Sequence, residues 1–137
     1  MHSQQDMEDV PRPLHGLFEA FKGELRPSRF RSFLDSKIEV VDLPQVPGPR
    51  IRKGVDEVEA WIAETREVWD DLSMELEELL EVAARRWLVR TRLVGRARAS
   101  GIEMDQRQSC AVFLRDGRIA RMELYGERED ALRSLRS

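Results

Sequence analysis

The apolar residues of this chain follow two different periods. In the first half they recur every three or four positions, which is typical of helices that bury one face. This spacing predicts helices over residues 14–22, after Pro27 and over residues 55–72. From Ser73 onward apolar and polar residues alternate, which is typical of half-buried strands. Helices followed by a meander of long strands predict the α+β class.

The strands are predicted to send alternate side chains to opposite sides of a sheet. An early strand, "KIEVVDLP" over residues 37–44, places Ile38, Val40 and Asp42 on one face. In the later strands the inward side carries apolar residues and a few small polar ones. The outward side of the strand that begins at Trp87 carries a row of arginines, namely Arg90, Arg92, Arg96 and Arg98.

Two hairpin turns set the predicted register of the last three strands. A two-residue turn at residues 100–101 pairs Thr91 with Cys110 on the inner face. The same turn pairs Arg96 with Asp105 on the outer face, so that opposite charges fall together. This register places the small and apolar pairs on the inner face and the charged pairs on the outer face, which supports it.

The second hairpin, in "CAVFLRDGRIARMELYG", could have either of two turns. A two-residue turn would set charged residues of the last strand opposite inward residues, and burying an unpaired charge costs several kcal/mol. A three-residue bulged loop over residues 115–117 instead pairs Val112 with Ala120, and Cys110 with Met122. The apolar pairing favours the three-residue loop.

Composition limits the classes of function. The chain has 137 residues, of which 36% are charged, and its formal net charge of −3 argues against a nucleic-acid or anionic-membrane partner. No apolar run approaches the roughly 20 residues of a membrane span, and the N-terminus lacks the apolar centre of a signal peptide. The single cysteine, Cys110, excludes an internal disulfide, and we expect a cytoplasmic protein. Residues 1–12 are predicted to form a disordered tail and residues 13–137 one domain.

Three segments, "LFEAFKGELRPSRFRSFL", "IEVVDLPQVPGPRIRKGVDEVEAWI" and "VFLRDGRIARMELYGEREDAL", follow a helix–helix–strand–loop–helix order and end on a hairpin. In these segments, which span about residues 14–135, the chain resembles the SnoaL-like group of the nuclear transport factor 2-like superfamily. The resemblance implies a cystatin-like cone, or α+β barrel, in which a strongly curved antiparallel sheet packs around three N-terminal helices and an apolar pocket. Members include polyketide cyclases, ketosteroid isomerase and proteins without catalysis, and many are homodimers.

The resemblance also matches single residues to the catalytic positions of ketosteroid isomerases. Asp42 falls where those enzymes have their general-base aspartate. Cys110 falls at about the position of their protonated aspartate, and Gly16 or Leu17 where they have an oxyanion tyrosine. Because two of the three groups differ, steroid-type isomerisation is not expected.

The inward face of the last strands is predicted to line a ligand-binding cavity, since mostly apolar walls with few polar groups are typical of small-molecule sites. Gln106 and Gln108 could hydrogen-bond a ligand's carbonyl or hydroxyl group, or be satisfied by each other and by buried water. The candidate ligand-binding residues are Trp87, Thr91, Gln106, Gln108, Cys110, Met122 and Leu124.

Asp42 is the candidate for proton transfer, because a carboxylate at the rim of an apolar cavity is suited to take up a proton near neutral pH. The alternative is a structural carboxylate that caps the proline-rich loop or pairs with Arg50 or Arg52. Glu78 belongs to an otherwise apolar strand face, so it either enters the cavity or is turned outward by a bulge.

Cys110 is a weak candidate for a nucleophile. It would need a base, and the two histidines, His2 and His15, lie in the tail and on the first helix. A small buried hydrophobic residue is therefore the preferred interpretation of Cys110. No set of histidine, cysteine and carboxylate residues has the spacing of metal ligands, so we expect neither a metal ion nor a cofactor.

The outward face of the sheet is predicted to be a partner surface. Its arginines lie near Glu103, Asp105 and Glu123, which favours a solvated ladder of paired charges over a nucleic-acid site. Apolar residues alternate with these charges, and the mixture suits a homodimer interface formed sheet against sheet. The apolar residues of this face are Leu88, Val94, Phe113, Ile119 and Tyr125.

Two hypotheses of function result. In the first, a dimeric SnoaL-like protein binds a small apolar metabolite and performs a cofactor-free lyase, isomerase or cyclase reaction. Asp42 would then move a proton while Gln106 or Gln108 polarises an oxygen. In the second, the chain is a non-catalytic, dimeric ligand-binding or interaction module.

Overall fold

The structure is a computed structural model, and it describes residues 11–22, 27–44 and 50–137. The predicted tail over residues 1–12 lies outside these ranges except for Pro11 and Arg12, where the first helix begins. In chain order the described elements are α1 (Arg12–Lys22), α2 (Pro27–Phe30), a 3₁₀ turn (Arg31–Phe33), β1 (Leu34–Val41), β2 (Ile51–Lys53), α3 (Val55–Val68), β3 (Trp69–Ala83), β4 (Arg86–Ala97), β5 (Glu103–Arg115), β6 (Arg118–Tyr125) and α4 (Arg128–Arg136).

The described strands form one sheet in the order β2-β1-β6-β5-β4-β3. Neighbouring strands run antiparallel except β1 and β6, which are parallel, with Val40 opposite Met122. Parallel neighbours need a long connection, and every element from β2 to β5 lies between these two strands. The prediction of a purely antiparallel sheet is therefore wrong at this pair.

Helices pack on both faces of the sheet. On the inner face, Leu14 and Phe18 of α1 and Val58 and Ile62 of α3 join the main hydrophobic core. The three long helices lie near the N-terminus, in the middle and at the C-terminus, so the predicted set of three N-terminal helices is not confirmed.

None of the described helices has the length and apolar character needed to cross a membrane.

The middle helix ends earlier than its apolar spacing predicts. α3 ends at Val68, and Trp69 begins β3 opposite Ala97. The backbone N–H of Arg98 donates to the Val68 carbonyl at 2.9 Å, and the guanidinium of Arg98 donates to Asp70 at 2.7 Å. Strand pairing with β4 thus overrides the helical period at this point.

The turn between β4 and β5 is longer than predicted, because residues 98–102 form the connection. As a result Thr91 lies opposite Gln108 rather than Cys110, a shift of two residues. A two-residue shift leaves every side chain on its predicted face, since side chains alternate with a period of two. The pairing is wrong, whereas the inward and outward sets are confirmed.

The turn between β5 and β6 has two residues rather than three. Asp116 and Gly117 both have positive φ, 52° and 73°, which matches the twist of a tight hairpin. Farther from the turn, Val112 lies opposite Met122 and not Ala120, so the predicted three-residue loop is wrong. The apolar character of the inner face is nevertheless preserved.

A bulge in β6 reconciles the short turn with an apolar inner face. Leu114 lies opposite Ile119 whereas Phe113 lies opposite Arg121, so Ala120 is the extra residue. The bulge reverses the alternation of β6 and turns Ile119 inward, where it is fully buried in the main core. Assigning Ile119 to the outer face is therefore wrong.

The C-terminal helix has no counterpart among the predicted elements. Ala131, Leu132 and Leu135 of α4 are buried against Leu88 and Ala111, on the face of the sheet opposite to the main core. Leu88 is consequently fully buried within the chain. It is not available for the predicted dimer interface.

Candidate functional site

The inner face of the sheet, α1 and α3 surround a cavity of about 230 Å³. The strands contribute to it because the alternation of β4, β5 and β6 directs their apolar side chains toward the helices. Aromatic and sulfur-containing side chains form much of the wall, namely Phe18, Phe21, Trp61, Trp69, Met74, Met104 and Met122. The helical residues of this wall belong to the apolar stripes that predict the helices. They are not among the predicted ligand-binding residues.

All of the predicted ligand-binding residues except Trp87 line this cavity. They are Thr91, Gln106, Gln108, Cys110, Met122 and Leu124. Trp87 is buried in the main core and is not part of the lining. Six of the seven predicted ligand-binding residues therefore line one cavity, and the seventh, Trp87, belongs to the core.

Gln106 and Gln108 are the neutral hydrogen-bonding groups on the wall that are most open to a ligand. Gln106 is exposed and Gln108 half-buried. Within the described part of the chain, neither side-chain amide hydrogen-bonds the other or any further protein group. Each amide therefore keeps two N–H donors and one oxygen acceptor for water or a ligand.

Asp42 lines the cavity and is 5% exposed. Its Oδ2 accepts a hydrogen bond from Arg52 Nη1 at 2.8 Å, and its Oδ1 accepts one from the Leu43 backbone N–H at 2.8 Å. Arg50 Nη1 donates to the backbone carbonyl of Asp42 at 2.6 Å. The structural alternative is thus confirmed in its pairing with Arg52, while Asp42 is also one of the residues that line the cavity.

Arg52 connects this carboxylate to the aromatic wall. The Arg52 side chain is 10% exposed, and its guanidinium carbon lies 5.5 Å from the centroid of the Trp61 ring. A cation over an aromatic face is stabilised by the ring quadrupole. Trp61 in turn meets Phe21 edge to face, with ring centroids 5.4 Å apart. The Asp42–Arg52 pair is therefore held rigidly beside the cavity, and the sequence analysis named Arg52 only as a possible partner.

Glu78 does not line the cavity. A bulge in β3 between Leu76 and Glu78 turns the carboxylate outward, as one of the two alternatives predicted. There Arg128 donates to its two oxygens at 2.8 Å and 2.9 Å, and Arg90 Nη1 lies 3.4 Å from Oε1. These hydrogen bonds, chiefly from Arg128, hold the pKa of Glu78 below its usual value although burial opposes them.

Cys110 lies opposite Leu124 rather than the predicted Met122. Burial raises the pKa of its thiol to about 12, so the thiolate that a nucleophile needs is scarce at neutral pH. In the described ranges, no three histidine, cysteine, aspartate or glutamate side chains come close enough to hold a metal ion.

The close packing of α1 excludes a side chain at Gly16. A Cβ atom there would lie 2.2 Å from Cδ2 of the Phe33 ring, which is far inside van der Waals contact. A tyrosine at this position could not be accommodated without moving the Phe33 ring. The neighbouring Leu17 lines the cavity but has no polar atom in its side chain.

The outer face of β3, β4 and β5 carries the predicted ladder of paired charges. Arg92 donates to both carboxylate oxygens of Asp105 at 2.8 Å and 2.6 Å, and Arg107 Nε lies 3.0 Å from Glu77 Oε1. Exposed pairs of this kind contribute little to stability. The other arginines of the row also have carboxylate partners, namely Glu78 for Arg90, Glu103 for Arg96 and Asp70 for Arg98, which confirms the prediction of a charge ladder.

No family model and no curated protein matches the sequence. Among solved structures, a protein with a ketosteroid isomerase-like fold from Catenulispora acidiphila, in complex with trimethylamine, is similar with a TM-score of 0.71 and 14% identity over 85% of each chain. A proposed polyketide cyclase from Sinorhizobium meliloti gives 0.69 and 21%, over 91% of this chain and all of the other. A proposed SnoaL-like polyketide cyclase from Jannaschia gives 0.68 and 16%, over 96% of each chain. The chain therefore has the α+β fold that these three proteins share.

Proposed function

We propose that the cavity binds a small, largely apolar molecule that carries a carbonyl or hydroxyl oxygen. The observation that carries this proposal is the pair of side-chain amides, Gln106 and Gln108, without partners among the described residues on a mostly apolar wall. Burial against the aromatic wall supplies the affinity, and the amides orient the ligand through its oxygen.

The size and charge of the cavity narrow the class of ligand. Its volume of about 230 Å³ lies below the range of about 300–1,000 Å³ that is usual for drug-sized ligands, which favours a small molecule. Among the described lining residues only Asp42 has a formal charge, and Arg52 already neutralises it. A neutral ligand therefore fits better than an anion. The bound trimethylamine in the similar Catenulispora structure supports a small ligand for this fold.

Two alkylbenzenes that differ by one hydroxyl group test the proposal. We expect 4-propylphenol to bind about three- to tenfold more tightly than propylbenzene, because its hydroxyl gains one net hydrogen bond to the glutamines. The variant Gln106→Leu/Gln108→Leu should bind both compounds equally, and Met104→Leu, a change on the same wall, should keep the preference. Isothermal titration calorimetry measures all six dissociation constants, two compounds for each of three proteins. Absence of binding, or a preference retained by the double leucine variant, would contradict the proposal.

Proton transfer by Asp42 is a second candidate function, favoured by the position of its carboxylate on the cavity wall. Lyase, isomerase and cyclase reactions without cofactors share the removal of a proton next to a carbonyl group, and a positioned carboxylate can perform it. A glutamine amide hydrogen-bonded to the carbonyl oxygen would stabilise the developing negative charge.

Deuterium exchange tests this second candidate. The protein should accelerate exchange at the α-carbon of 1-tetralone in deuterium oxide at least about a hundredfold over buffer, as is usual for general-base catalysis. Asp42→Asn should lose that acceleration, and Glu78→Gln, a carboxylate outside the cavity, should keep it. NMR follows the loss of the α-proton signal, and thermal unfolding shows whether each variant is folded. Equal acceleration by the Asp42→Asn variant would exclude this role for Asp42. No acceleration by the unchanged protein would leave the non-catalytic binding module as the function.

Homodimerisation is proposed through the outer face beside α4, where Phe113 and Tyr125 pack against the α4 cluster but stay partly exposed. Because Leu88 and Ile119 are fully buried within the chain, the interface proposal now rests on Val94, Phe113 and Tyr125, all half-buried. Apolar residues between paired charges are compatible with a modest isologous contact. Sedimentation equilibrium at micromolar concentration distinguishes the dimer from a monomer, which would exclude the proposal.

A further inference from the structure

A second cleft, of about 300 Å³, lies between the start of α1, the 3₁₀ turn and the β5–β6 turn. It is unlike the first cavity, because charged groups dominate its lining. Three arginines and one aspartate are among its lining residues. Its lining residues are Arg12, Arg29, Ser32, Phe33, Asp116, Gly117 and Arg118.

Two of the three arginines of this cleft, Arg12 and Arg29, lack the carboxylate partners that most arginines of the sheet have. Within the described ranges, the guanidinium groups of Arg12 and Arg29 make no hydrogen bond or ion pair. Arg118 Nε donates to the Ser32 backbone carbonyl at 3.2 Å, and the Arg118 charge acts on Asp35 without a hydrogen bond between them. The nearby Arg115, by contrast, pairs with Asp35 at 2.9 Å.

Asp116 does not neutralise the cleft. Its carboxylate lines the same space but makes no ion pair with any described arginine. Three guanidinium groups and one carboxylate leave an excess of two positive charges. Like charges that share a concave surface repel one another, so a bound dianion would relieve the repulsion. Guanidinium groups also present pairs of N–H donors whose spacing matches the oxygens of a phosphate.

The packing of α1 brings these arginines together before any ligand arrives. Gly16 lets α1 lie directly on the Phe33 ring, since a Cβ atom at that position would be 2.2 Å from the ring. Arg12 precedes Gly16 by one helical turn and therefore sits on the same side of α1. Ser32 Oγ donates to the Arg29 carbonyl at 2.6 Å and holds the 3₁₀ turn that carries Phe33. The backbone that carries Arg12 and Arg29 is therefore held in place, so binding a ligand needs to order only their side chains.

We propose that this cleft binds the phosphate monoester group of a soluble small molecule through Arg12, Arg29 and Arg118. The Phe33 ring offers an apolar wall to the organic part of such a molecule. The formal net charge of −3 opposes binding to an anionic membrane surface, which favours a soluble source of the phosphate. The site is separate from the cavity proposed for the apolar ligand, with which it shares no lining residue.

Titration with inorganic phosphate and phenyl phosphate tests the proposal. Saturable shifts of the Arg29, Ser32 and Gly117 amide signals are expected in ¹H–¹⁵N NMR spectra, with phenyl phosphate binding more tightly than inorganic phosphate. Because each exposed arginine supplies a charge-assisted hydrogen bond, Arg12→Gln and Arg29→Gln should each weaken binding about tenfold. Arg66→Gln, which removes an exposed and unpaired arginine of α3, is the matched control and should change nothing.

Three results would overturn the proposal. The first is an equal response to sodium chloride at matched ionic strength, which would indicate screening rather than binding. The second is unchanged affinity in both the Arg12→Gln and Arg29→Gln variants. The third is cosedimentation with vesicles that contain phosphatidic acid, without binding of phenyl phosphate, which would assign the arginines to a lipid surface. Because Arg12 and Arg29 are exposed, both variants should fold, and thermal unfolding checks this.

Discussion

Replacing Arg52 with methionine is expected to lower the free energy of unfolding by about 3–5 kcal/mol. The side chains of Arg52 and Asp42 are 10% and 6% exposed, and their N···O distance is 2.8 Å. Removing the guanidinium leaves the Asp42 carboxylate buried, with the Leu43 N–H as its one hydrogen-bond donor among the residues that the structure describes. An uncompensated buried charge loses its hydration without gaining a partner, which explains the large penalty. Methionine retains an apolar contact with Trp61, so lost packing contributes little.

The double variant Asp42→Asn/Arg52→Met separates the buried charge from other causes. Asparagine keeps an oxygen for the Leu43 N–H and has no charge, so we expect most of the lost stability to return. Lys53→Met, which changes an exposed cation at the end of the same strand, should alter stability by about 0.5 kcal/mol or less. Urea denaturation measures all three proteins. If Arg52→Met changed stability as little as Lys53→Met, the ion pair would not be buried in solution.

The facing of side chains is the part of this fold that the sequence predicts best. Placing Thr91, Gln108 and Cys110 inward follows from alternation alone, and the opposite choice would bury the arginines of β4. That choice would cost several kcal/mol for each unpaired charge. The inward set is therefore correct although both hairpin turns are predicted wrongly. The lining of the candidate cavity depends on which side of the sheet each side chain points to, and not on which residues lie opposite each other. Most of its strand residues can therefore be named from the sequence.

Register is harder to predict because competing registers differ by little energy. In the first hairpin a shift of two residues exchanges Cys110 for Gln108 opposite Thr91 and leaves each residue on the same face. In the second, the Asp116–Gly117 turn and a bulge at Ala120 together satisfy both turn geometry and core composition. A bulge can be placed at several positions along a strand, and nothing local to Ala120 marks it.

The sequence predicts that the apolar outer face of the sheet is covered, but it does not predict that α4 covers part of it. Leu88 and Phe113 make an outward face more apolar than water favours, and the sequence therefore predicts that something covers it. Part of the cover is α4 of the same chain rather than a second copy. The signal for this helix is present in "REDALRSLR", where apolar residues fall at helical spacing behind two acidic residues of the first turn. A helix of nine residues is not stable alone, so the segment forms a helix only because its apolar side packs on the sheet.

The double variant Leu132→Ala/Leu135→Ala is expected to detach α4 from the sheet. Both leucines are buried, at 2% and 0% exposure, and each truncation of a buried leucine to alanine costs about 2–5 kcal/mol. Together they remove much of the apolar contact that holds α4, leaving Arg128–Glu78 and the hydrogen bonds from Arg86 to the Leu135 and Ser137 carbonyls. These polar contacts are partly open to solvent and do not replace the lost burial.

The sheet and the inner core should remain folded, because the main cluster contains no residue of α4. Hydrogen exchange should then show loss of protection in α4 with protection retained in β4 and β5. Sedimentation should show association driven by the newly exposed Leu88 and Ala111. Arg133→Ala/Arg136→Ala, on the exposed side of the same helix, is the control and should leave both measurements unchanged. Unfolding of the whole chain in one transition, with no protected strands, would instead mean that α4 is part of a single cooperative core.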